Sequence, residues 1–394
     1  MPDDLATTIA SHVDPEEVVA ICRDLVRAPS ENPPGDEEEV AAVTERWLSE
    51  LGLPYSRVES APGRVNVISS WGSPSGPVLG FNGHYDVVPA TEVDAWPHPP
   101  FGGVVEDGRL YGRGATDMKA GIAACLAAVS ALRRADIHPR GRLVMHFVAD
   151  EEALGVYGTQ HLLESGHCDG VDEWLVGEPT SLGLVTSERG ALWLRIVTEG
   201  VSAHGSTPQL GVNAIQHMAR VVDALSQMRF RKLHEVLGAP TVNVGTIAGG
   251  AKVNSVPDRC VIEVDRRTLP GETVDEVVGE FNGVIDRVKE DVPELRARIE
   301  IHNWADACET PEGTRLVDLL RDARTAFGGE PVEFGYGGAT DARFLINDAG
   351  TPSVICGPGD ILLAHTTGEY VSVEELVEGT RIYAHAIARF LDAT

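Results

Sequence analysis

Lysine is nearly absent from this chain, which carries four lysines among its 32 basic side chains. The 394 residues include 60 acidic ones, and the formal net charge is -28 at pH 7. Because such a surface repels phosphate backbones, the composition argues against nucleic-acid binding. The sequence also lacks an apolar run of about 18 residues, and it begins with the acidic stretch MPDDLATTIASHVDPEE. We therefore expect no membrane span and no secretory signal, and we predict a cytoplasmic location.

Closely spaced cysteines are missing as well. No C-x-x-C pair occurs, and the cysteines stand singly at Cys22, Cys125, Cys168, Cys260, Cys308 and Cys356. This spacing argues against a cysteine-bound zinc and against a disulfide framework, so we expect most of them to be buried. A G-x-S-x-G motif is also lacking, which leaves a serine hydrolase with little support.

The length suits two domains. Over 1–187 and 306–394, short apolar runs alternate with helical patterns, which predicts a mainly parallel α/β sheet flanked by helices. Between them, 188–305 reads as an inserted ferredoxin-like lid or dimerisation domain of βαββαβ order. Its predicted strands are 190–199, 240–248, 259–266 and 296–303, and its predicted helices are 211–227 and 272–290.

Three predicted strands end directly before polar side chains. The runs PVLGFNG, RLVMHFVA and EWLVG precede His84, Asp150 and Glu178. Since active sites of open α/β sheets lie beyond the carboxyl ends of the strands, we expect these side chains to converge in one site.

Two of these segments contain paired functional groups. His84 and Asp86 would share one face of a strand, so Asp86 could accept a hydrogen bond that fixes the imidazole for metal binding; an ordinary polar turn is the alternative. In Asp150-Glu151-Glu152, adjacent carboxylates repel unless cations or protons neutralise them. A solvated acidic turn is the alternative in a protein this acidic. If the two glutamates point in opposed directions, one serves as a metal ligand and the other as a general base.

The segment GRGATDMKAG contains Asp117 where a dinucleotide-binding loop would need its third glycine, so we reject that interpretation. Asp117 could cap the following apolar helix or bridge two cations. With Glu178 and His365, the candidate ligands are two histidines and three carboxylates, which favour zinc. Two such metals, about 3.5–4 Å apart, deprotonate water and polarise a carbonyl.

Together the motifs resemble the zinc-dependent acyl-amino-acid hydrolases and exopeptidases, a family that includes acetylornithine deacetylase, succinyl-diaminopimelate desuccinylase, aminoacylase and glutamate carboxypeptidases. The resemblance covers roughly residues 15–390. The motifs that carry it are, in order, GHYDVVP, GRGATDMKAG, ADEEALG, GEPT, SAHGSTPQLGVNAI, GGAKVNSVPDR, DRR, GGATDARF and AHTTGEYV. One departure is GGATDAR, where relatives commonly have a serine, and it weakens the substrate assignment.

The resemblance implies roles for these residues. It makes Asp117 the bridging carboxylate, Glu151 the general base and Asp86 the partner of a ligand histidine. The implied metal ligands are His84, Asp117, Glu152, Glu178 and His365, with Glu152 and His365 on the same metal. It further implies two Zn²⁺ per subunit, with Co²⁺ or Mn²⁺ as substitutes.

The inserted domain contributes further implied residues. His204 resembles an oxyanion-stabilising histidine that reaches the site of the opposite subunit in dimeric relatives, although a strand-end polar residue is its ordinary interpretation. Asn254, Arg267 and Arg343 resemble residues that bind the substrate carboxylate, for which the forked arginine side chain is suited. Arg267 is chosen over Arg266 from the Asp-x-Arg pattern.

The sequence thus predicts a homodimeric hydrolase that removes the acyl group from a small N-acyl amino acid of the N-acetylornithine or N-succinyl-diaminopimelate type. A dipeptidase or carboxypeptidase of the same family is the nearest alternative. A non-catalytic metal-dependent binding protein is the alternative from another class, and the presence of Glu151 argues against it.

Overall fold

A computed structural model describes residues 4–393, and these form two compact units. The first unit comprises the chain up to Thr186, then Thr310–Phe334 and the chain from Thr340. The second comprises Ser187–Glu309 and Gly335–Ala339. The sequence placed the start of the last part of the first domain at residue 306, whereas the structure has it at Thr310. The assignment of residues 335–339 to the second unit was not predicted. Within the second unit, the N–H of Arg189 donates to the carbonyl of Tyr336 and so links the 335–339 segment to the rest of this unit.

The helices are α1 (Asp4–His12), α2 (Pro15–Arg27), α3 (Glu38–Glu50), α4 (Ala120–Arg134), α5 (Thr159–Glu164), α6 (Ala214–Ser226), α7 (Val274–Asp291), α8 (Arg315–Ala326) and α9 (Val373–Phe390). The strands are β1 (Tyr55–Ala61), β2 (Arg64–Gly72), β3 (Val78–His84), β4 (Val104–Glu106), β5 (Arg109–Tyr111), β6 (Arg142–Val148), β7 (Glu173–Val176), β8 (Leu184–Glu188), β9 (Gly190–Glu199), β10 (Thr241–Gly249), β11 (Arg259–Thr268), β12 (Arg296–Ala305), β13 (Cys308–Glu309), β14 (Glu333–Tyr336), β15 (Ser353–Ile355) and β16 (Tyr370–Ser372).

The sheet of the first unit confirms the predicted mixed, mainly parallel architecture. Its strand order is β1-β2-β6-β3-β7-β15-β8. The central strand β3 pairs in parallel with both β6 and β7, and β15 pairs in parallel with β7. All seven residues of β3 are buried, as expected for a strand covered on both faces. The carboxyl ends of β6, β3 and β7 therefore lie side by side at one edge.

Helix α4 is the central helix of this unit. Residues Ala120–Leu132 are all buried, and α4 packs against α2 and α9. The stretch Ala115–Arg134 is long and apolar enough to span a membrane, yet its apolar window is wholly buried by protein. Its composition is therefore explained by packing inside the core.

Two helices of the first unit begin at side-chain caps. Asp14 caps α2, accepting from the N–H of Glu16, with Pro15 as the first helical residue. Ser372 caps α9 and accepts from the N–H of Glu375. The Glu375 carboxylate in turn accepts from the N–H of Gly359 at 2.8 Å.

The second unit is a four-stranded antiparallel sheet of order β10-β11-β9-β12, crossed by α6 and α7. Its core includes Leu194 and Ile262 of the sheet together with Met218 of α6 and Phe281 of α7. Trp193 is 48% exposed, because alternate strand residues point to opposite faces and the helices cover one face.

Candidate metal centre

The structure places the predicted ligands at the carboxyl edge of the first unit's sheet. His84 is the last residue of β3, the 150–152 segment follows β6, and Glu178 follows β7. Because these three strands are parallel neighbours, their ends bring the side chains together.

One group of metal-ligating atoms is formed by His84, Glu151 and Glu178, whose ligand atoms lie within 4.8 Å of one another. The His84 Nε2 atom is 3.4 Å from a Glu178 carboxylate oxygen. His84 and Glu178 are buried. Such close imidazole and carboxylate atoms match the ligand types that borderline divalent metals prefer.

A second group is formed by Asp117, Glu152 and His365 within the same distance limit of 4.8 Å. The His365 Nε2 atom is 3.2 Å from Glu152 Oε2 and 3.4 Å from Asp117 Oδ2. Glu151 and Glu152 thus face different groups.

Asp117 connects the two groups. Its Oδ1 is 3.2 Å from His84 Nε2, while its Oδ2 faces His365. The alternative role as a helix cap fails, because α4 begins at Ala120 and Asp117 has φ -116 and ψ 98, outside the helical range. One carboxylate oxygen is therefore directed at each group, as a bridging ligand requires.

Asp86 contacts the site through both its main chain and its side chain. The Nδ1 of His84 is 3.0 Å from the backbone carbonyl of Asp86 and 3.5 Å from its carboxylate, so the carbonyl is the nearer partner. The buried carboxylate also accepts from the backbone N–H groups of Glu151 and Glu152, at 3.1 and 3.2 Å. Asp86 therefore orients the turn that carries both glutamates.

A further support was not predicted from the sequence. The buried Asn32 side-chain amide donates to Asp86 at 2.9 Å and to Asp150 at 3.3 Å. Arg64 lies 3.2 Å from the same Asp150 carboxylate and 2.7 Å from Glu37. This network connects the segment around Asn32 to the acidic turn.

Burial and hydrogen bonding shift the pKa values of the carboxylates in opposite directions. Burial raises the pKa of Glu178 to about 8 and raises that of Glu151 well above its ordinary value. For Asp117, burial by itself raises the pKa, but hydrogen bonds to His365 and His84 outweigh it and lower the pKa.

Both histidines respond to these carboxylates. Hydrogen bonds to Asp117 and Glu152 raise the pKa of His365 to about 10. Burial alone would lower the pKa of His84, yet the charge of Glu178 and the hydrogen bond to Asp117 raise it. The site therefore holds protons unless other positive charge replaces them.

Two divalent cations fit this donor set. The two groups contain four carboxylates and two imidazoles, and two divalent ions carry the positive charge that neutralises four carboxylates. When such ions bind, they displace the protons that burial would otherwise retain. His84 and Glu178 would hold one ion, and Glu152 and His365 would hold the other. Asp117 would be a ligand of both ions.

His204 and Asn254 lie in the second unit, next to each other. The N–H of Gly205 donates to the carbonyl of Asn254 at 2.8 Å, and both predicted side chains are exposed. The N–H of Ser206 donates to Nδ1 of His204 at 3.2 Å. A neutral His204 then carries its proton on Nε2, which leaves a hydrogen-bond donor on the exposed ring.

The two neighbouring arginines of β11 differ in environment. Arg266 is fully buried and pairs with Glu272 at 2.9 Å and Glu280 at 3.1 Å. Arg267, on the opposite face, pairs with Asp265 at 2.9 Å and keeps 30% of its side chain exposed. Of the two, Arg267 is the one accessible to a ligand.

Arg343 lies in the first unit and is 6% exposed. Its two terminal nitrogens donate to the carbonyls of Thr340 and Leu154, each at 2.7 Å. The guanidinium is thus occupied by backbone groups, and its predicted role in substrate binding stays a prediction.

Two other buried acids near the site were not predicted. Glu369 accepts from Arg113 at 2.6 Å and from the backbone of Asp117 at 3.2 Å. Asp341 accepts from Thr159 at 2.7 Å, and burial raises its pKa to about 6. Both acids lie within motifs quoted above, but their partners are distant in sequence.

Comparisons with known proteins find a matching family, relatives in sequence and a similar fold. The model of peptidase family M20/M25/M40 matches residues 80–389. The succinyl-diaminopimelate desuccinylase of Alkalilimnicola ehrlichii is 31% identical over 87% of this chain and 92% of its own length. The N-formyl-4-amino-5-aminomethyl-2-methylpyrimidine deformylase of Bacillus subtilis is 29% identical, over 93% of both chains. The crystal structure of a tripeptidase from Staphylococcus aureus superposes with a TM-score of 0.81 at 23% identity, covering 96% of this chain and 99% of that one.

Proposed function

The chain belongs to peptidase family M20/M25/M40 and is a metal-dependent hydrolase, and from this premise we propose that it removes the acyl group from a small N-acyl amino acid. The observation that carries the proposal is the pair of ligand groups joined by Asp117. Relatives named for removal of a succinyl and of a formyl group support deacylation.

Zinc is the metal we propose, two ions per subunit, with cobalt or manganese as substitutes. Imidazole and carboxylate ligands together suit zinc, whereas carboxylates alone would suit magnesium or calcium. When bound, a pair of such ions lowers the pKa of water and polarises a carbonyl oxygen.

Glu151 is the proposed general base. Its backbone N–H is held by Asp86, and its carboxylate lies with His84 and Glu178. It would accept a proton from the attacking water and then deliver that proton to the leaving amine nitrogen.

His204 is the proposed donor to the oxyanion that forms during attack. The proton on its exposed Nε2 gives it the required hydrogen-bonding capacity. We propose that it acts on the site of the opposite subunit in a homodimer formed through the second unit. Asn254, Arg267 and Arg343 are proposed to bind the substrate carboxylate, and the enzyme is proposed to act in the cytoplasm.

A substrate panel tests the function. The zinc- or cobalt-loaded protein would be incubated with N-acetylornithine, N-succinyl-diaminopimelate, other N-acetyl amino acids and dipeptides, and the released amine measured. We expect the substrate with the highest kcat/KM in the panel to be an N-acyl amino acid. Turnover of dipeptides alone would replace the deacylase proposal by a dipeptidase, and binding without turnover would favour a binding protein.

A further inference from the structure

A buried ion pair lies directly behind the bridging carboxylate. Arg113 donates to Oε2 of Glu369 at 2.6 Å, and the two side chains are 3% and 0% exposed. The other oxygen, Oε1, accepts from the backbone N–H groups of Thr116 and Asp117, at 3.0 and 3.2 Å. Both oxygens of this carboxylate thus accept from the 113–117 segment, which presents Asp117.

The surroundings hold Glu369 in place. The N–H of Gly112 donates to its backbone carbonyl at 3.1 Å, and Thr116 donates through Oγ1 to the carbonyl of Tyr370 at 2.5 Å. Tyr370 also opens β16, which pairs with β5 in register with Tyr111. The segment before Asp117 and the segment after His365 are therefore joined by both main-chain and side-chain hydrogen bonds.

A buried ion pair is weak evidence for stability, because desolvation offsets much of the attraction between its charges. Its position suggests a different use. Glu369 follows the ligand His365 by four residues and accepts from the peptide of the ligand Asp117. The pair therefore sits where it can set the orientation of the carboxylate that faces both ligand groups.

We propose that Glu369, held by Arg113, is a positioning residue that orients Asp117 so that one carboxylate oxygen faces each metal. The proposal rests on the two-metal site of the proposed function. Removing the Glu369 carboxylate should let the peptide at Asp117 rotate. If the Asp117 carboxylate then turns away from one ion, the affinity for that ion should fall most.

The test measures metal binding instead of turnover. Glu369→Ala, Glu369→Gln and the wild type are stripped of metal and titrated with Co²⁺ by calorimetry, with bound cobalt counted by mass spectrometry and magnetic coupling between the ions followed by electron paramagnetic resonance. We expect Glu369→Ala to lose about 10–100-fold in affinity for one of the two ions, together with the coupling. In Glu369→Gln the affinity for that ion should fall by about tenfold. The amide nitrogen of Gln cannot accept a hydrogen bond, yet it must face either Arg113 or the N–H groups of Thr116 and Asp117.

Glu173→Gln is the matched control, because Glu173 also accepts from two consecutive backbone N–H groups, those of Arg315 and Leu316, but at the opposite end of β7 from Glu178. It should bind both ions like the wild type. The proposal would be overturned if Glu369→Ala kept the wild-type affinity and coupling. If the alanine variant does not fold, the same result in Glu369→Gln would overturn it. An equal loss of affinity in the control Glu173→Gln would also overturn it. If the wild type itself failed to bind two ions, the proposed function would fall first.

Discussion

Two glutamates that are adjacent in sequence serve different ligand groups. Glu151 and Glu152 lie in a single short turn, Glu151–Ala153, which follows Asp150 at a positive φ of 71°. Because Asp86 accepts from both of their N–H groups, the backbone of the turn is fixed while the side chains diverge. The backbone therefore directs the proposed base and the proposed ligand to different groups.

Replacing the base should separate chemistry from metal binding. Glu151→Gln keeps the size of the side chain but removes the proton acceptor, so we expect kcat to fall by about 10²–10⁴-fold. The ions should remain, because Glu178, His84 and Asp117 are unchanged. Steady-state kinetics with the best substrate of the panel and metal analysis of the same preparation measure both effects.

Glu164→Gln is the control for this substitution, since Glu164 is exposed at the end of α5. Its kcat should equal that of the wild type. Full activity of Glu151→Gln would show that the base is another residue, whereas loss of metal along with activity would make Glu151 a ligand.

The chemistry of the ligands could be predicted from residue type, but their supports could not. His84, Asp117 and His365 stand in motifs with recognisable donor atoms. Asn32 and Glu369 act through hydrogen bonds to groups 54 and 252 residues away along the chain. Such partners are determined by tertiary packing, and the single sequence contains no signal that pairs them.

At the scale of elements, a close backbone approach near the site joins α4 to the end of β7. A Cβ on Gly121 would lie 2.1 Å from the carbonyl oxygen of Gly177, the residue before Glu178. The absence of a side chain at Gly121 therefore lets the central helix approach the strand that presents a ligand.

Gly121→Ala should accordingly destabilise the first unit. The added methyl group must push backbone against backbone, and overpacking of this kind costs about 1–3 kcal/mol. Metal affinity should fall as well, because Gly177 and Glu178 would move. Urea unfolding followed by circular dichroism gives the stability change.

Gly279→Ala provides the contrast, because this glycine also lies in a helix, α7, and an added Cβ there meets nothing within 4 Å. It should stabilise the protein by roughly 0.5–1 kcal/mol, since alanine loses less backbone entropy than glycine. If both substitutions changed stability in the same direction, the close approach at Gly121 would not be the cause.

Helices and strands were predictable where the hydrophobic pattern is regular. The six predicted elements of the inserted segment match β9, α6, β10, β11, α7 and β12 to within three residues at each end. The sequence did not predict the pairing of Glu375 with Gly359, which requires two loops to meet. Local patterns define elements, whereas the contacts between loops depend on the assembled fold.

For the whole molecule, metal ions should act as structural ligands of the first unit. Without them, four buried or half-buried carboxylates face one another, and burial with like charge raises the pKa of Glu178 to about 8. At free metal 1,000-fold above Kd, binding should stabilise the folded state by about 4.1 kcal/mol. Chelation should therefore abolish activity and lower the unfolding temperature, as measured by calorimetry.

Hydrogen exchange can locate this effect. Protection should decrease in the segments that follow β3, β6 and β7, while α6 and α7, which belong to the second unit, should exchange as before. Activity should return when zinc, cobalt or manganese is added back. An unfolding temperature that does not respond to complete metal removal would contradict the role of the ions in stability.

The proposed dimer makes a prediction that a monomeric site cannot satisfy. If His204 serves the opposite subunit, a hybrid of His204→Ala and Glu151→Gln subunits has one site with both residues intact and one with neither. Random pairing of equal amounts makes half of the dimers hybrid, so the mixture should recover roughly one quarter of wild-type activity. Each variant alone should stay inactive or nearly so, because an oxyanion donor contributes about 10²–10³-fold to kcat.

The decisive control replaces the Glu151→Gln subunit by the double variant His204→Ala/Glu151→Gln. No hybrid of this pair has an intact site in either arrangement, so any recovery there would come from subunit mixing itself. Mass spectrometry of the native assemblies shows whether subunits exchange. If exchange is complete and the first mixture stays inactive, His204 serves its own subunit, because only a donor supplied by the partner can be restored by pairing.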